Sequence, residues 1–234
     1  PVCLARHRRI FSSACQSFEI AKNLKDDFTQ YYDLMYEYQT DCISMNFKFN
    51  KSFFEDGNFP DLVILNAGVS RLFTLDKIDE KHQDIIDSMD TNYFGVINCL
   101  SAILPRMIER KKGHIAIMSS VAGYRGLPNS VAYSPTKAAL INLVEIMRSE
   151  LSPLGINISV INPGFVDTDA TKVNKFRMPS MVSVEFAARK IIRDLVKLKY
   201  EVAFPFMFTF FIKFLRILPN TLYFYIIRKL VLKS

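Results

Sequence analysis

The stretch His114-Ile115-Ala116-Ile117-Met118-Ser119-Ser120 is a short apolar run, rich in β-branched residues, that ends on two hydroxyls. It is too short for a helix with its own buried stripe and shows no polar face, which suits a strand covered on both sides. The pattern recurs upstream in Asp61-Leu62-Val63-Ile64-Leu65 and downstream in Ile156-Asn157-Ile158-Ser159-Val160-Ile161. Val2-Cys3-Leu4-Ala5 opens the chain with a further run, and a weaker one lies around Leu34 to Thr40. Between the runs, residues 79–111, 131–154 and 183–199 carry apolar side chains at helical spacing, and Gly113 and Gly155 stand where helices would stop. Strand-helix alternation of this kind predicts parallel strands joined by crossover helices, an α/β doubly wound sheet in one domain.

Ligands of such sheets sit beyond the carboxyl ends of the strands, so the residues just after each run carry the functional information. These are Asn66-Ala67-Gly68, Ser119-Ser120 and Asn162-Pro163-Gly164. Each alone is an ordinary turn. Three together on one rim, with glycines that admit close backbone approach and hydroxyls that donate without bulk, point to a site. Further along, Tyr133 and Lys137 are spaced so that a helix places both on one face. A phenol ionises near pH 10 and serves as an acid-base group at neutrality only with help, and a fixed lysine is the expected source of that help.

Taken jointly, these motifs resemble the short-chain dehydrogenase/reductase family from about Val2 to at least Lys199. Leu65-Asn66-Ala67-Gly68 resembles its Asn-Ala-Gly turn, and Thr91-Asn92-Tyr93-Phe94-Gly95 its helix with the active-site asparagine. Ile117 to Gly123 is similar to the strand end with the catalytic serine, and the family's serine-to-tyrosine spacing selects Ser120 over Ser119. Asn162-Pro163-Gly164-Phe165-Val166-Asp167-Thr168 looks like the segment that holds a nicotinamide. The resemblance implies a Rossmann-type fold and an NAD(P)(H)-dependent oxidoreductase that interconverts a carbonyl and an alcohol on a small molecule. Tyr133 is then the proton donor, Ser120 a donor to the substrate oxygen, Lys137 the group that lowers the tyrosine pKa and holds the ribose, and Asn92 the holder of a water linking Lys137 to solvent. Asn66, Ala67, Gly68, Pro163, Gly164, Val166 and Thr168, with Tyr133 and Lys137, are the implied cofactor contacts.

Cofactor choice is read from Arg6, directly after the first run, where an acid favours NAD and an arginine can accept a 2′-phosphate; NADP(H) is therefore expected ahead of NAD(H). Asp41 resembles the family's adenine-contacting aspartate. The family's glycine-rich phosphate turn has no counterpart, because the first glycine is Gly57. If Val2 to Ala5 is the second strand, the first strand and helix are missing, and a truncated start is expected. The competing reading is a non-catalytic binding or scaffold protein that keeps the fold without that turn.

Half of the 234 residues are apolar and 23% charged, as in a globular protein. The formal charge of +7 suits an anionic cofactor or a membrane surface as well as nucleic acid and does not choose among them. No nucleic-acid partner is expected. Four scattered cysteines and three scattered histidines predict reduced thiols and no metal site, and basic residues near Pro1 break up any secretion signal, so a cytoplasmic protein is expected. Residues 1–203 read as the catalytic domain. Residues 204–234 form a hydrophobic tail in which Lys213, Arg216, Arg228 and Lys229 interrupt any span and Pro205 and Pro219 break the run. It reads either as an amphipathic segment lying on a membrane surface or as a final strand and helix packed on the core or on a second subunit of a homo-oligomer.

Overall fold

The computed structural model describes residues 60–168, 171 and 178–230. Four strands, β1 (Leu62–Leu65), β2 (Gly113–Met118), β3 (Ile156–Pro163) and β4 (Glu201–Phe204), form one parallel sheet in the order β1-β2-β3-β4. The predicted runs at Val2 to Ala5 and Leu34 to Thr40, with Arg6 and Asp41, lie outside the described residues. Register is set side by side: Ile64 lies against Ala116, Ala116 against Ser159, and Ile161 against Val202.

The connections are helical, as parallel pairing requires. Helices α1 (His82–Met89) and α2 (Gly95–Arg110) are joined by a π turn over Asp90–Phe94 and lead from β1 to β2. Helix α3 (Ser134–Leu151) links β2 to β3, and α4 (Val184–Val196) links β3 to β4. The Ser183 hydroxyl caps α4 by accepting the Phe186 N–H at 3.2 Å, and Pro135 starts α3, where its missing N–H costs nothing.

Residue alternation in the strands divides the sheet into two buried faces. Ala116, Ile161, Val202 and Phe204 pack with Ala187 and Leu195 of α4 on one face. The residues between them, Val63, Ile115, Ile117, Ile158 and Val160, are buried on the other, where α3 packs on β3. Helix α2 seats Met107 over Gly113, where a Cβ would lie 2.5 Å from the Met107 sulfur. With both faces covered the sheet is doubly wound, as its apolar strands predict.

Three local expectations are corrected. Gly113 does not end the preceding helix; Lys111 does, in the left-handed conformation (φ 53°), and Gly113 begins β2. The pattern over residues 79–111 is one helical path broken by the π turn. Tyr133 is not inside a helix but immediately ahead of α3, and its carbonyl accepts the Lys137 N–H at 3.2 Å. Gly155 does stop its helix, with φ 82°.

After β4 the tail forms two helices, α5 (Phe206–Ile217) and α6 (Asn220–Leu230), each preceded by one of the two prolines. A final strand and packed helices are thus present, and part of the tail belongs to the fold.

Candidate active site

The carboxyl ends of β1, β2 and β3 and the first turn of α3 converge on one point. At the end of β2 two serines take different jobs. The Ser119 hydroxyl, almost wholly buried, donates to the Lys137 carbonyl at 2.8 Å and so fixes α3 to the strand. The Ser120 hydroxyl accepts the Ala122 N–H at 3.1 Å and interacts with the phenol of Tyr133. Gly123 lies so close to α3 that a Cβ would meet the Lys137 carbonyl at 2.7 Å; a glycine is needed there for the serine loop to rest on the helix.

Lys137 is 3% exposed and donates from Nζ to the Met118 carbonyl at 2.9 Å. Its ammonium sits 5.6 Å from the centroid of the Tyr133 ring. Burial lowers its pKa to about 8, because a charged amine loses hydration there. The phenol of Tyr133 is instead pushed up by burial, and the Ser120 hydroxyl offsets this in part. The expected lowering by Lys137 is therefore not seen: its ammonium is directed to the Met118 carbonyl, and desolvation dominates at the phenol.

Asn92 occupies the π turn and is fully buried. Its Oδ1 accepts the Val69 N–H at 2.7 Å, and its Nδ2 donates to the Val69 carbonyl and to the Thr136 hydroxyl, both at 2.9 Å. One side chain thus ties together the turn after β1, the α1-α2 junction and the start of α3. An extra residue in a helical turn redirects side chains, and such turns recur at functional sites. Both Nδ2 hydrogens are engaged, and Oδ1 faces the gap at Gly68, where a Cβ would lie 3.2 Å from Oδ1 and 3.2 Å from the Lys137 ammonium.

The remaining sequence candidates rim this cluster. Asn66, Ala67 and Gly68 form the exposed turn after β1. The Pro163 carbonyl faces the Ser120 hydroxyl at 3.5 Å. Val166 pairs with Val182, and the Thr168 N–H donates to the Thr171 hydroxyl at 3.0 Å. The space beside Gly164 is filled by the tail, since a Cβ there would lie 2.8 Å from Phe208 and 3.1 Å from Pro205.

In sequence and fold the chain is similar to known proteins. Residues 55–177 fit the family model described as short chain dehydrogenase. The chain belongs to the short-chain dehydrogenase family. An uncharacterized oxidoreductase of Myxococcus xanthus is 38% identical over 164 residues, which are 70% of this chain and 64% of that protein. A 3-oxoacyl-(acyl-carrier-protein) reductase of Staphylococcus epidermidis is 34% identical over 111 residues, 47% of this chain and 45% of the relative. Among solved structures, a short chain dehydrogenase from Burkholderia cenocepacia in complex with NADP superposes with a TM-score of 0.57 at 26% identity, covering 67% of this chain and 64% of that one. The chain spans just under two thirds of the Myxococcus protein and less than half of the Staphylococcus one.

In this member of the family several residues around the cluster carry no recognisable motif. Thr136 holds Asn92 and in turn donates to the Tyr133 carbonyl at 2.8 Å; its position beside Lys137 was the only hint. Tyr124 and Arg125, on the loop after Ser120, bind the tail. The Tyr124 hydroxyl donates to Glu201, which also accepts from Asn162 at 2.9 Å and from Lys213 of α5. A cavity of about 310 Å³ lies along the same loop, lined by Phe73, Leu75, Tyr124, Leu127, Val131 and Ala138. Ser120, Tyr133 and Lys137 are not on its wall, so it flanks their cluster without containing it.

Proposed function

We propose that the protein interconverts a carbonyl and an alcohol on a small molecule, with a nicotinamide dinucleotide as partner and NADP(H) preferred over NAD(H). The observation that carries this is the Ser120 hydroxyl on the Tyr133 phenol with the buried Lys137 ammonium beside them. The described residues fit the nicotinamide-ribose end of such a cofactor. The exposed Gly68 turn lets backbone approach closely, and a lysine has three N–H donors, of which Lys137 directs one to Met118. The cofactor supplies or accepts the hydride when bound.

The protein's own groups handle the proton. In reduction the substrate carbonyl oxygen gains negative charge, and Ser120 and Tyr133 both donate to it. A phenol held protonated by burial is in the form that donates, and Tyr133 transfers its proton to that oxygen. In oxidation it takes the proton back. Lys137 binds the ribose hydroxyls, and its charge stabilises the phenolate once formed. Asn92 keeps Lys137 and the turn at Gly68 in register, and its free Oδ1 lone pair suits a water that resupplies the proton. Arg6 is assigned to the 2′-phosphate and Asp41 to the adenine. The reducing cytoplasm suits the free thiol of Cys99.

The test is Tyr133→Phe, which keeps the ring and removes the proton. It should lower kcat by about 10²–10⁴ on any carbonyl substrate while NADPH binding and fold stay intact. Near-wild-type turnover would overturn the mechanism. Arg6→Ala should erode the preference for NADPH over NADH about tenfold; unchanged selectivity in binding titrations removes Arg6 from the site.

A further inference from the structure

Helix α5 is apolar on two sides. Thr209, Ile212 and Leu215 are buried against the fold, as expected for a packed helix. On its outer side Phe206, Met207, Phe210, Phe211, Phe214 and Ile217 face away, with Phe206 75%, Phe210 60% and Ile217 77% exposed. These positions recur at three- and four-residue intervals and make one continuous stripe along the helix. Phe206 and Phe210 stack on each other, centroids 6.1 Å apart. Helical spacing places Lys213 and Arg216 on one flank of the stripe. Helix α6 buries Tyr223 and Ile227 and turns Leu222, Phe224, Tyr225, Arg228 and Lys229 outward; the Lys229 ammonium lies 4.6 Å from the Tyr225 ring centroid.

Charge identifies what covers this surface. From Phe204 to Ser234 there is no aspartate or glutamate against five basic residues; Lys213 is paired with Glu201, and Arg216, Arg228, Lys229 and Lys233 carry the remaining positive charge of the segment. Two copies of the chain meeting here would bring like charge to like charge. An anionic bilayer complements the surface: aromatic and aliphatic side chains enter the headgroup boundary, and the basic groups stay at its level. No helix among the described residues is long and apolar enough to cross a membrane, and α5, with 12 residues, is about 18 Å long against a hydrocarbon core of about 30 Å.

We propose that the outer faces of α5 and α6 form a docking surface for anionic phospholipid membranes, on which the protein lies without spanning. The proposal stands independently of the chemistry at Tyr133.

Vesicle flotation tests it with three preparations of the chain: wild type, the triple variant Phe206→Ser, Phe210→Ser, Ile217→Ser, and the double variant Arg228→Ser, Lys229→Ser. All five positions are exposed, and circular dichroism checks that the fold is kept. Wild type should float with vesicles of phosphatidylcholine and phosphatidylserine, and about tenfold less with phosphatidylcholine alone or at high salt. Each variant should bind the mixed vesicles at least tenfold less. Equal flotation of wild type and triple variant, or no flotation of wild type, overturns the proposal. So does a dimer in sedimentation that the triple substitution dissolves while wild type ignores vesicles, which would make a second copy the occupant.

Discussion

The guanidinium of Arg125 lies over the ring of Tyr223, its carbon 3.9 Å from the ring centroid, and ends helix α5 with the same fork of N–H groups. Nη1 donates to the carbonyls of Leu215, Arg216 and Leu218 at 2.8–3.0 Å, and Nη2 to Asn220 Oδ1 at 2.7 Å. The last carbonyls of a helix have no partner within it, and a cation there also meets the negative end of the helix dipole. Tyr223 completes the contact by donating its hydroxyl to the Gly126 carbonyl.

Arg125→Ala should therefore cost roughly 1.5–3 kcal/mol, which lowers Tm by about 3–10 °C in a chain of this size. Amide exchange should rise selectively in α5 and α6. Arg125→Lys keeps the charge but not the fork and should recover little of the loss. Unchanged exchange in both helices would show that the tail is held by other contacts.

Lys137 carries a pH signature. Its folded pKa of about 8 lies below the unfolded lysine value of about 10.4, so between those values the unfolded chain holds a proton that the folded chain has released. Stability from this group rises with pH across that window, and below it the fold bears the full cost of a buried charge, on the order of 3 kcal/mol. In Lys137→Met that cost is gone. The gap in stability between variant and wild type, from urea midpoints at pH 7 and pH 10, should change by roughly 2–3 kcal/mol in favour of wild type at the higher pH. A gap that ignores pH would mean that the ammonium is better solvated than its burial indicates.

His114 gives the opposite limb of the profile. Buried beside the Ser159 hydroxyl, at 2.7 Å from Nε2, it has its pKa lowered to about 4, mainly by burial and then by Arg148. Here too the folded pKa lies below the unfolded value, about 6.5, so the unfolded chain takes the proton first. Stability is complete above pH 6.5 and is lost as pH falls toward 4, by about 3 kcal/mol. His114→Gln should flatten the profile between pH 7 and 4 by that amount. Parallel profiles for the two proteins would remove His114 from the acid response.

Gly68→Ala probes the gap between Asn92 and Lys137. The added methyl would lie 3.2 Å from both polar atoms, so each must give by a few tenths of an ångström. The fold should tolerate this for less than about 1 kcal/mol, within the ordinary range for single substitutions. Catalytic geometry is less forgiving, and NADPH affinity or kcat/KM should fall about tenfold or more. If both survive unchanged, the gap is not part of the site.

Much of this was legible from residue order because strands buried on both faces leave uninterrupted apolar runs, and β1, β2 and β3 lie where those runs are. Tyr133 and Lys137 stood out because side chains four apart share a helix face, and Ser120 through the serine-to-tyrosine spacing of the family it resembles; the structure brings the three side by side. The π turn could not, since apolar spacing is helical on either side of Asp90–Phe94 and the inserted residue accompanies bonds from Asn92 to Val69 and Thr136. Pro135 was the available signal that α3 starts after Tyr133 rather than around it. Arg125 left no trace at all. Its partners are main-chain carbonyls some 90 residues further on, and carbonyls are the same whatever the sequence.

Gly164 and Phe208 share one volume: the ring edge of Phe208 occupies the place that a side chain at 164 would need, and the Gly164 N–H donates to the Phe204 carbonyl at 2.7 Å. The two positions therefore form one heritable unit. A lineage that exchanged the glycine would have to shrink residue 208 in the same step and also shift Pro205, 3.1 Å from the same point. The two sites, far apart along the gene, are expected to change together.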